Sequence, residues 1–531
     1  MNSQFRVHKR STIGDPPFST DRTSLRDPLY PIPSPQSPSL LRLSSFLLIL
    51  ALLLSSCAPE VSSFSSGAPP AATPTPAQPT PQGPTPPSFP ERPIYEPGEL
   101  VDYTAQTGDT LPALAVRFNT TIKEIREANP IIPETATTMP PGMPMKIPIY
   151  YLPFWGSPYH ILPDSLFVNG PAQVGFDTAK FVAGQPGWLK SVVEYAADEN
   201  RTAAGMIDLV ALRYSVSPRL LLALLEFQSG ALTQAEPSEQ ARSDPMGYHG
   251  RERKGLYRQL IWAANLLNNG YYGYRTNRLT SIEHEDGRIE RFDPWQNAAT
   301  VSLMNFFNTL LPKDAYLQAT SSEGFARTYA ALFGDPWAAD QPHIPGSLEQ
   351  PAFSMPFKPG ELWAFTGGPH TAWGSGDPLA ALDFAPPAVA GGCLSTDLWA
   401  TAVADGVVAR SEIGEIALDL DGDGDERTGW VVFYLHLATE GRAPLGAKLK
   451  AGEPVGHPSC EGGEATGTHV HLARKYNGEW IPAEGTLAFN LEGWLAHNGS
   501  QPYLGTLTRL SHTVTACVCS NQESFVESEK H

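Results

Sequence analysis

Thr466-Gly467-Thr468-His469-Val470-His471-Leu472 is the stretch on which the reading of this chain turns. Side chains alternate across a β-strand, so His469 and His471 leave one face and present two imidazoles to one site. Nitrogen and carboxylate ligands suit zinc, and a catalytic zinc keeps three protein ligands and one open position. A His-x-His pair alone is weak support, because many are solvated or structural. The surrounding sequence supplies further groups: Gly368-Pro369-His370, Ala381-Leu382-Asp383-Phe384-Ala385-Pro386 and Phe433-Tyr434-Leu435-His436-Leu437. Alternation from Val431 onward predicts Val432, Tyr434 and His436 on one strand face and Val431, Phe433 and Leu435 on the other. His436 would then stand in a groove while its neighbours fill a core.

These four segments, in this order, resemble the lysostaphin-type zinc endopeptidases that cut peptidoglycan peptides, and within them the staphylolysin-like (LasA) branch. The larger group places its first His four residues before the Asp, where this chain has Leu379. His370, thirteen residues before Asp383, matches the longer spacing of the staphylolysin-like branch. The resemblance covers residues 351 to 506. It implies zinc ligation by His370, Asp383 and His471, catalysis by His436 and His469, and a β-rich antiparallel metallopeptidase domain.

Upstream, Phe46 to Leu54 is an uncharged apolar run closed directly by Leu54-Ser55-Ser56-Cys57, with Arg42 just ahead. That order resembles a bacterial lipoprotein signal peptide spanning residues 1 to 57, with Cys57 lipidated. The run is short of the roughly 20 residues of a comfortable transmembrane span. Residues 1 to 40 are long and polar for such a leader, which leaves the true start open. From 58 to 98 the chain is rich in Pro, Thr, Ser, Ala and Gln, an extended spacer that would lift the folded part away from a membrane.

A chain of 531 residues with 41% hydrophobic content is enough for about three domains. The formal charge of -18 argues against nucleic acid as a partner, and equally against electrostatic capture by an anionic wall. Wall binding would therefore need specific modules.

One such module is expected at 99 to 150. Asp109 reads as an N-cap for a helix with Leu111, Leu114, Ala115 and Phe118 on one face. Thr121-Ile122-Lys123-Glu124 is a capping box opening a second short helix. With Val101-Asp102-Tyr103 and Met145-Lys146-Ile147-Pro148 at the ends, the order is strand, helix, helix, strand. The string Tyr103 to Leu111, with Asn129 and Gly142, is similar to a LysM module, which implies binding of N-acetylglucosamine-containing glycans.

Residues 151 to 345 read as helical. Ser217-Pro218 opens a helix that is apolar nearly all round until Gly230, as suits the centre of a bundle. Further helices are expected from Met206 to Arg213, Leu256 to Leu267 and Asn297 to Leu310. Leu221 to Gly230 resembles the catalytic helix end of lysozyme-like lytic transglycosylases, but Gln228 stands where the acid would be and cannot donate a proton. Glu226, about 200° round the helix from Gln228, should face elsewhere. A non-catalytic helical domain is expected.

Asp419 to Glu426 resembles the first half of a calcium loop, yet the twelfth position is Trp430, so a solvated hairpin loop is the favoured reading. Outside the cytoplasm a Cys393 to Cys460 bridge is reasonable, because both residues flank the site, while the sequence leaves the connectivity of Cys393, Cys460, Cys517 and Cys519 open. Residues 507 to 531 read as a tail. The whole describes a lipid-anchored, extracytoplasmic zinc metallo-endopeptidase facing the cell wall, with peptidoglycan as partner. Two alternatives remain: a catalytically silent wall-binding lipoprotein that activates another hydrolase, or glycan cleavage by the helical domain.

Overall fold

The computed structural model describes residues 93–388, 390–518 and 521–529. The leader, Cys57 and most of the spacer lie outside these residues. Among the described residues no helix is long and apolar enough to cross a membrane.

The first unit has the expected strand, helix, helix, strand order: Glu99–Thr104, Leu111–Arg117, Ile122–Ala128 and Pro144–Ile149. Its strands pair antiparallel, Val101 opposite Ile147 and Tyr103 opposite Met145. The Thr121/Glu124 capping box is formed. Asp109 is not the N-cap; Thr110 takes that place and accepts from the Ala113 amide. Asp109 is fully buried instead, accepting from Tyr103 OH at 2.6 Å and from Arg117 at 2.8 Å. Arg117 is itself buried, and a buried guanidinium needs a carboxylate more than the helix needs this cap.

Next come the helices Ala203–Tyr214, Pro218–Ser229 and Leu256–Arg275, each containing the expected one, and Ala298–Leu310, where Asn297 is the cap and not the first helical residue. Two small hairpins, Val193–Ala196 with Glu199–Thr202 and Ser281–Glu283 with Ile289–Arg291, interrupt the helical pattern. Ser217 caps the central helix and Gly230 closes it at φ 60°, the left-handed conformation that glycine adopts without penalty. Leu220 to Leu225 are all inaccessible to solvent, which is why that helix could be apolar all round.

The C-terminal part is a nine-stranded antiparallel sheet. From one edge, Lys448–Leu449 is followed by Gly406–Glu412, Gly414–Asp419, Trp430–Leu437, Val470–Tyr476, Leu379–Ala385, Leu362–Thr371 and Phe525–Glu527, with Glu479–Trp480 added beside Val470–Tyr476. The stretch after 507, read as a tail, is part of the fold. Gly505–Arg509 and His512–Thr515 belong to a four-stranded sheet, and Phe525–Glu527 pairs with Leu362–Ala364. Such short strands carry little periodicity, and the partner of Phe525–Glu527 lies some 160 residues earlier in the chain.

One face of the large sheet packs Leu382, Phe384, Val432, Tyr434, Val470 and Leu472 into a core of the β-rich part. The other face puts Ala381, Phe433, Leu435, Ala473 and Trp480 into the same core as the helices. A buried polar knot joins all three parts. Glu479 accepts from Tyr271 OH at 2.8 Å and from Arg275 at 3.2 Å, and its carboxylate meets His343 Nε2 at 2.7 Å. Arg275 also reaches Asp164 at 3.0 Å and the Thr107 carbonyl at 2.5 Å.

Candidate active site

Strand register brings the first three residues together. Asp383 stands opposite His471 on one side and opposite Gly367 on the other. His370 pairs with Ala381, after pairing irregularities that begin at Phe365 and bend the Leu362–Thr371 strand. Gly367 leaves room for the carboxylate, since a Cβ there would stand 2.3 Å from Asp383 Oδ2. His370 Nε2 and His471 Nδ1 then lie 3.2 and 3.3 Å from Asp383 Oδ1, and 3.0 Å from each other.

The far nitrogens decide what this cluster can hold. His370 Nδ1 lies 2.8 Å from the Gly368 carbonyl and His471 Nε2 lies 3.1 Å from the Ala372 carbonyl. A carbonyl accepts only, so each ring donates its N–H there and turns a lone pair toward Asp383. Asp383 Oδ1 is buried with no hydrogen-bond donor. Two imidazole lone pairs and a carboxylate converging in a buried site are satisfied by a cation, and three such N/O donors with further space are the chemistry of a catalytic zinc site. The ligand set fits that metal.

His469 and His436 border the same spot. His469 Nε2 lies 3.8 Å from Asp383 Oδ1, and its Nδ1 lies 2.7 Å from the Gly467 carbonyl. His436 Nδ1 lies 2.9 Å from the Glu461 carbonyl, and its ring centroid is 4.5 Å from that of His469. The same tautomer logic leaves both Nε2 atoms as acceptors.

Simple alternation does not put His436 here. Val432 and Tyr434 enter the core on the opposite sheet face, and a regular strand would send His436 after them. Pairing slips between Gly414 and Ile416, where Gly414 faces Leu437 but Ile416 faces Tyr434. The extra residue is absorbed at a bulge, and His436 takes φ 64°. The left-handed region costs a non-glycine residue roughly 1–2 kcal/mol, and it re-aims this ring toward His469 and His471.

Burial, with the neighbouring His469 and His471, lowers His436 to about 3, so it is neutral at physiological pH. Burial likewise lowers His471. For Asp383 burial opposes the charge, and the carboxyl is held well below its usual range whenever the flanking His370, His469 and His471 carry protons toward it.

Tyr503 was not foreseen. Its ring stacks on His370 with centroids 4.1 Å apart, and burial together with the Asp383 charge raises its phenol. A lone tyrosine in a loop carries no pattern; the turn Gly499-Ser500-Gln501-Pro502 just before it was the only available signal.

Other expected features sit elsewhere. Cys393 and Cys460 are bridged, and Cys517 is also disulfide-bonded. Asp419, Asp421 and Asp423 lie close together, but Asp419 accepts from the amides of Asp421, Gly422 and Gly424, which shapes a self-bonded hairpin loop. Glu226 is engaged by the amides of Leu232 and Thr233 and by the Thr233 hydroxyl, and Gln228 lies against Gly247.

Residues 160–346 match the LasA N-terminal domain family, and residues 103–148 match the LysM domain family. Protease LasA of Pseudomonas aeruginosa is 25% identical over 341 residues, covering 61% of this chain and 75% of the relative. Beta-lytic metalloendopeptidase of Achromobacter lyticus is 30% identical over 142 residues, covering 25% of this chain and 35% of the relative. Among solved structures, the M23 metalloprotease pseudoalterin shares 24% identity, covering 31% of this chain and 95% of its own, with a TM-score of 0.27. The chain is thus similar to the LasA-like, lysostaphin-type M23 metallopeptidases, and residues 103–148 match the LysM module.

Proposed function

We propose that the protein is a zinc-dependent endopeptidase that hydrolyses peptide bonds in peptidoglycan stem peptides or cross-bridges. The observation that carries this reading is the convergence of His370 Nε2, Asp383 Oδ1 and His471 Nδ1, with each ring's other nitrogen tied to a carbonyl. These three residues would hold the zinc, which when bound supplies Lewis-acid polarisation and acidifies water.

The remaining groups handle protons and charge. His436 and His469, neighbours with Nε2 acceptors, share the work: one takes the proton of the attacking water at Nε2, and the imidazolium so formed, or its neighbour once the proton is passed on, donates to the oxyanion and then protonates the leaving amine. Tyr503, stacked on His370, offers a phenol donor to the same oxyanion.

The modules serve delivery. The LysM unit at 99–150 binds glycan, the helical unit at 151–345 has no general acid at Gln228, and the peptidase unit runs from 351 onward. Lipid on Cys57 would tether the protein outside the cytoplasm, facing the wall. Cys57→Ala should then abolish lipid labelling and cleavage at that junction; unchanged labelling would remove the anchor from this scheme.

The deciding experiment is mass spectrometry of fragments released from purified peptidoglycan. New amino termini are expected and would name the bond. Reducing or anhydro sugar ends would move the activity to the helical unit, and no fragments at all would favour the silent wall-binding reading.

A further inference from the structure

The histidines assigned to proton handling are not anchored as the metal ligands are. Asp383 and His471 sit within paired strands and His370 pairs with Ala381, so the strand ladder itself fixes them. His436 lies in a bulge at positive φ, and His469 precedes the first residue of its strand.

What holds them is the neighbourhood of one disulfide. Cys460 lies between Ser459 and Glu461. The Ser459 amide donates to the His436 carbonyl at 2.6 Å and its hydroxyl does so at 3.1 Å, while the Ser459 carbonyl accepts from the His469 amide at 3.4 Å. The Glu461 carbonyl is the partner of His436 Nδ1. Cys393 lies between Gly392 and Leu394. The Gly392 carbonyl accepts from the Thr468 amide at 3.1 Å, and the Leu394 carbonyl accepts from the Thr468 hydroxyl at 2.5 Å. Thr468 immediately precedes His469. The flanks of both half-cystines therefore grip the two histidines, one segment from each side.

We propose that the Cys393–Cys460 disulfide, acting through Ser459, Glu461 and Thr468, is a positioning clamp that holds His436 and His469 in their reactive tautomer and orientation, separately from the metal ligands. The catalytic meaning of the clamp rests on the peptidase reading; its existence does not. With the bridge gone, the Ser459–Glu461 segment is free to leave His436, whose backbone can relax to negative φ and carry the ring toward the opposite strand face. Thr468 loses its carbonyl partners, and His469 turns more freely about them.

The test uses the full-length protein with the Cys393→Ser/Cys460→Ser pair, which leaves the Cys517 bond in place. A second variant, Thr468→Val, keeps the disulfide and removes only the hydroxyl contact, and Thr468→Ser restores it. In metal-free protein labelled with ¹⁵N-histidine and assigned by single His→Gln replacements, His436 and His469 should change from one fixed tautomer to averaged signals in the pair variant. His370 and His471 should keep theirs. In zinc-loaded protein, kcat should fall at least tenfold with KM and zinc content unchanged, less so in Thr468→Val, and return in Thr468→Ser. Fixed tautomers of His436 and His469 in the pair variant would overturn the clamp, as would parallel changes at His370 and His471 with loss of zinc, the pattern of a bridge that merely stabilises the fold. If the tautomers average as expected but the wild-type protein releases no peptide fragments, the clamp stands and the peptidase reading falls.

Discussion

Asp383 and His471 face each other in register across two adjacent antiparallel strands, with 3.3 Å between Oδ1 and Nδ1. Neither can move without breaking ladder hydrogen bonds. Two of the three proposed ligands are thus preset by backbone pairing, and only His370, beyond a bent stretch of strand, needs separate placement.

Ligand and proton-handling roles separate in the metal content of variants. His370→Ala and His471→Ala should each lower both zinc content and turnover, because each removes one of three protein ligands. His469→Ala should keep near-stoichiometric zinc and lose roughly 10²-fold or more in turnover. Leu379→Ala should retain zinc. Metal analysis and kinetics on the same preparations check this, and equal zinc loss in His469→Ala and His471→Ala would sink the assignment.

Tyr503→Phe keeps the ring on His370 and removes only the hydroxyl. Zinc content and KM should hold while kcat falls by ~10- to 10²-fold, the range for losing one oxyanion donor. An unchanged kcat would leave Tyr503 as packing alone.

Gly367→Ala places a methyl group 2.3 Å from Asp383 Oδ2, inside van der Waals contact. The carboxylate must shift, and zinc affinity should drop by about 10- to 100-fold, the size of effect seen when a ligand's support is disturbed. Competition with a chelator measures it; wild-type affinity would show that the sheet absorbs the methyl elsewhere.

Acid should loosen the joint between the modules. Burial opposes the charge on Glu479, but Arg275, His343 and Tyr271 lower it from 4.5 to about 2. A carboxyl with a depressed folded-state pKa contributes stability above its unfolded value and loses it as pH falls toward the folded one, here between pH 4.5 and 2. The shift is worth on the order of 3 kcal/mol. Glu479→Gln should therefore lower Tm strongly at pH 7 and much less near pH 2. Some acid slope should persist, because Glu426, paired with Arg410 and Lys475, is also lowered to about 2. An equal Tm difference at both pH values would contradict the linkage.

Much was legible in the chain because it is local. The apolar helix closed by Ser217 and Gly230, the Thr121/Glu124 box, and the alternation around Val432 and Tyr434 follow from backbone geometry within a few residues, and the structure contains them. The five histidine and aspartate positions that the structure gathers stand out in the sequence by their segment order, which needs no folding at all.

What tertiary structure decided is everything set by distant partners. Asp109 turns inward because Arg117 is buried beside it, Tyr503 reaches the site only because its loop crosses His370, and Phe525–Glu527 becomes an edge strand only beside Leu362–Ala364. His436 shows the division most plainly: the sequence determined that an imidazole stands at the end of this strand, but a slip in pairing against Gly414 and Ile416 determined which face it meets. Alternation holds only while the ladder is regular, and regularity is a property of two strands together.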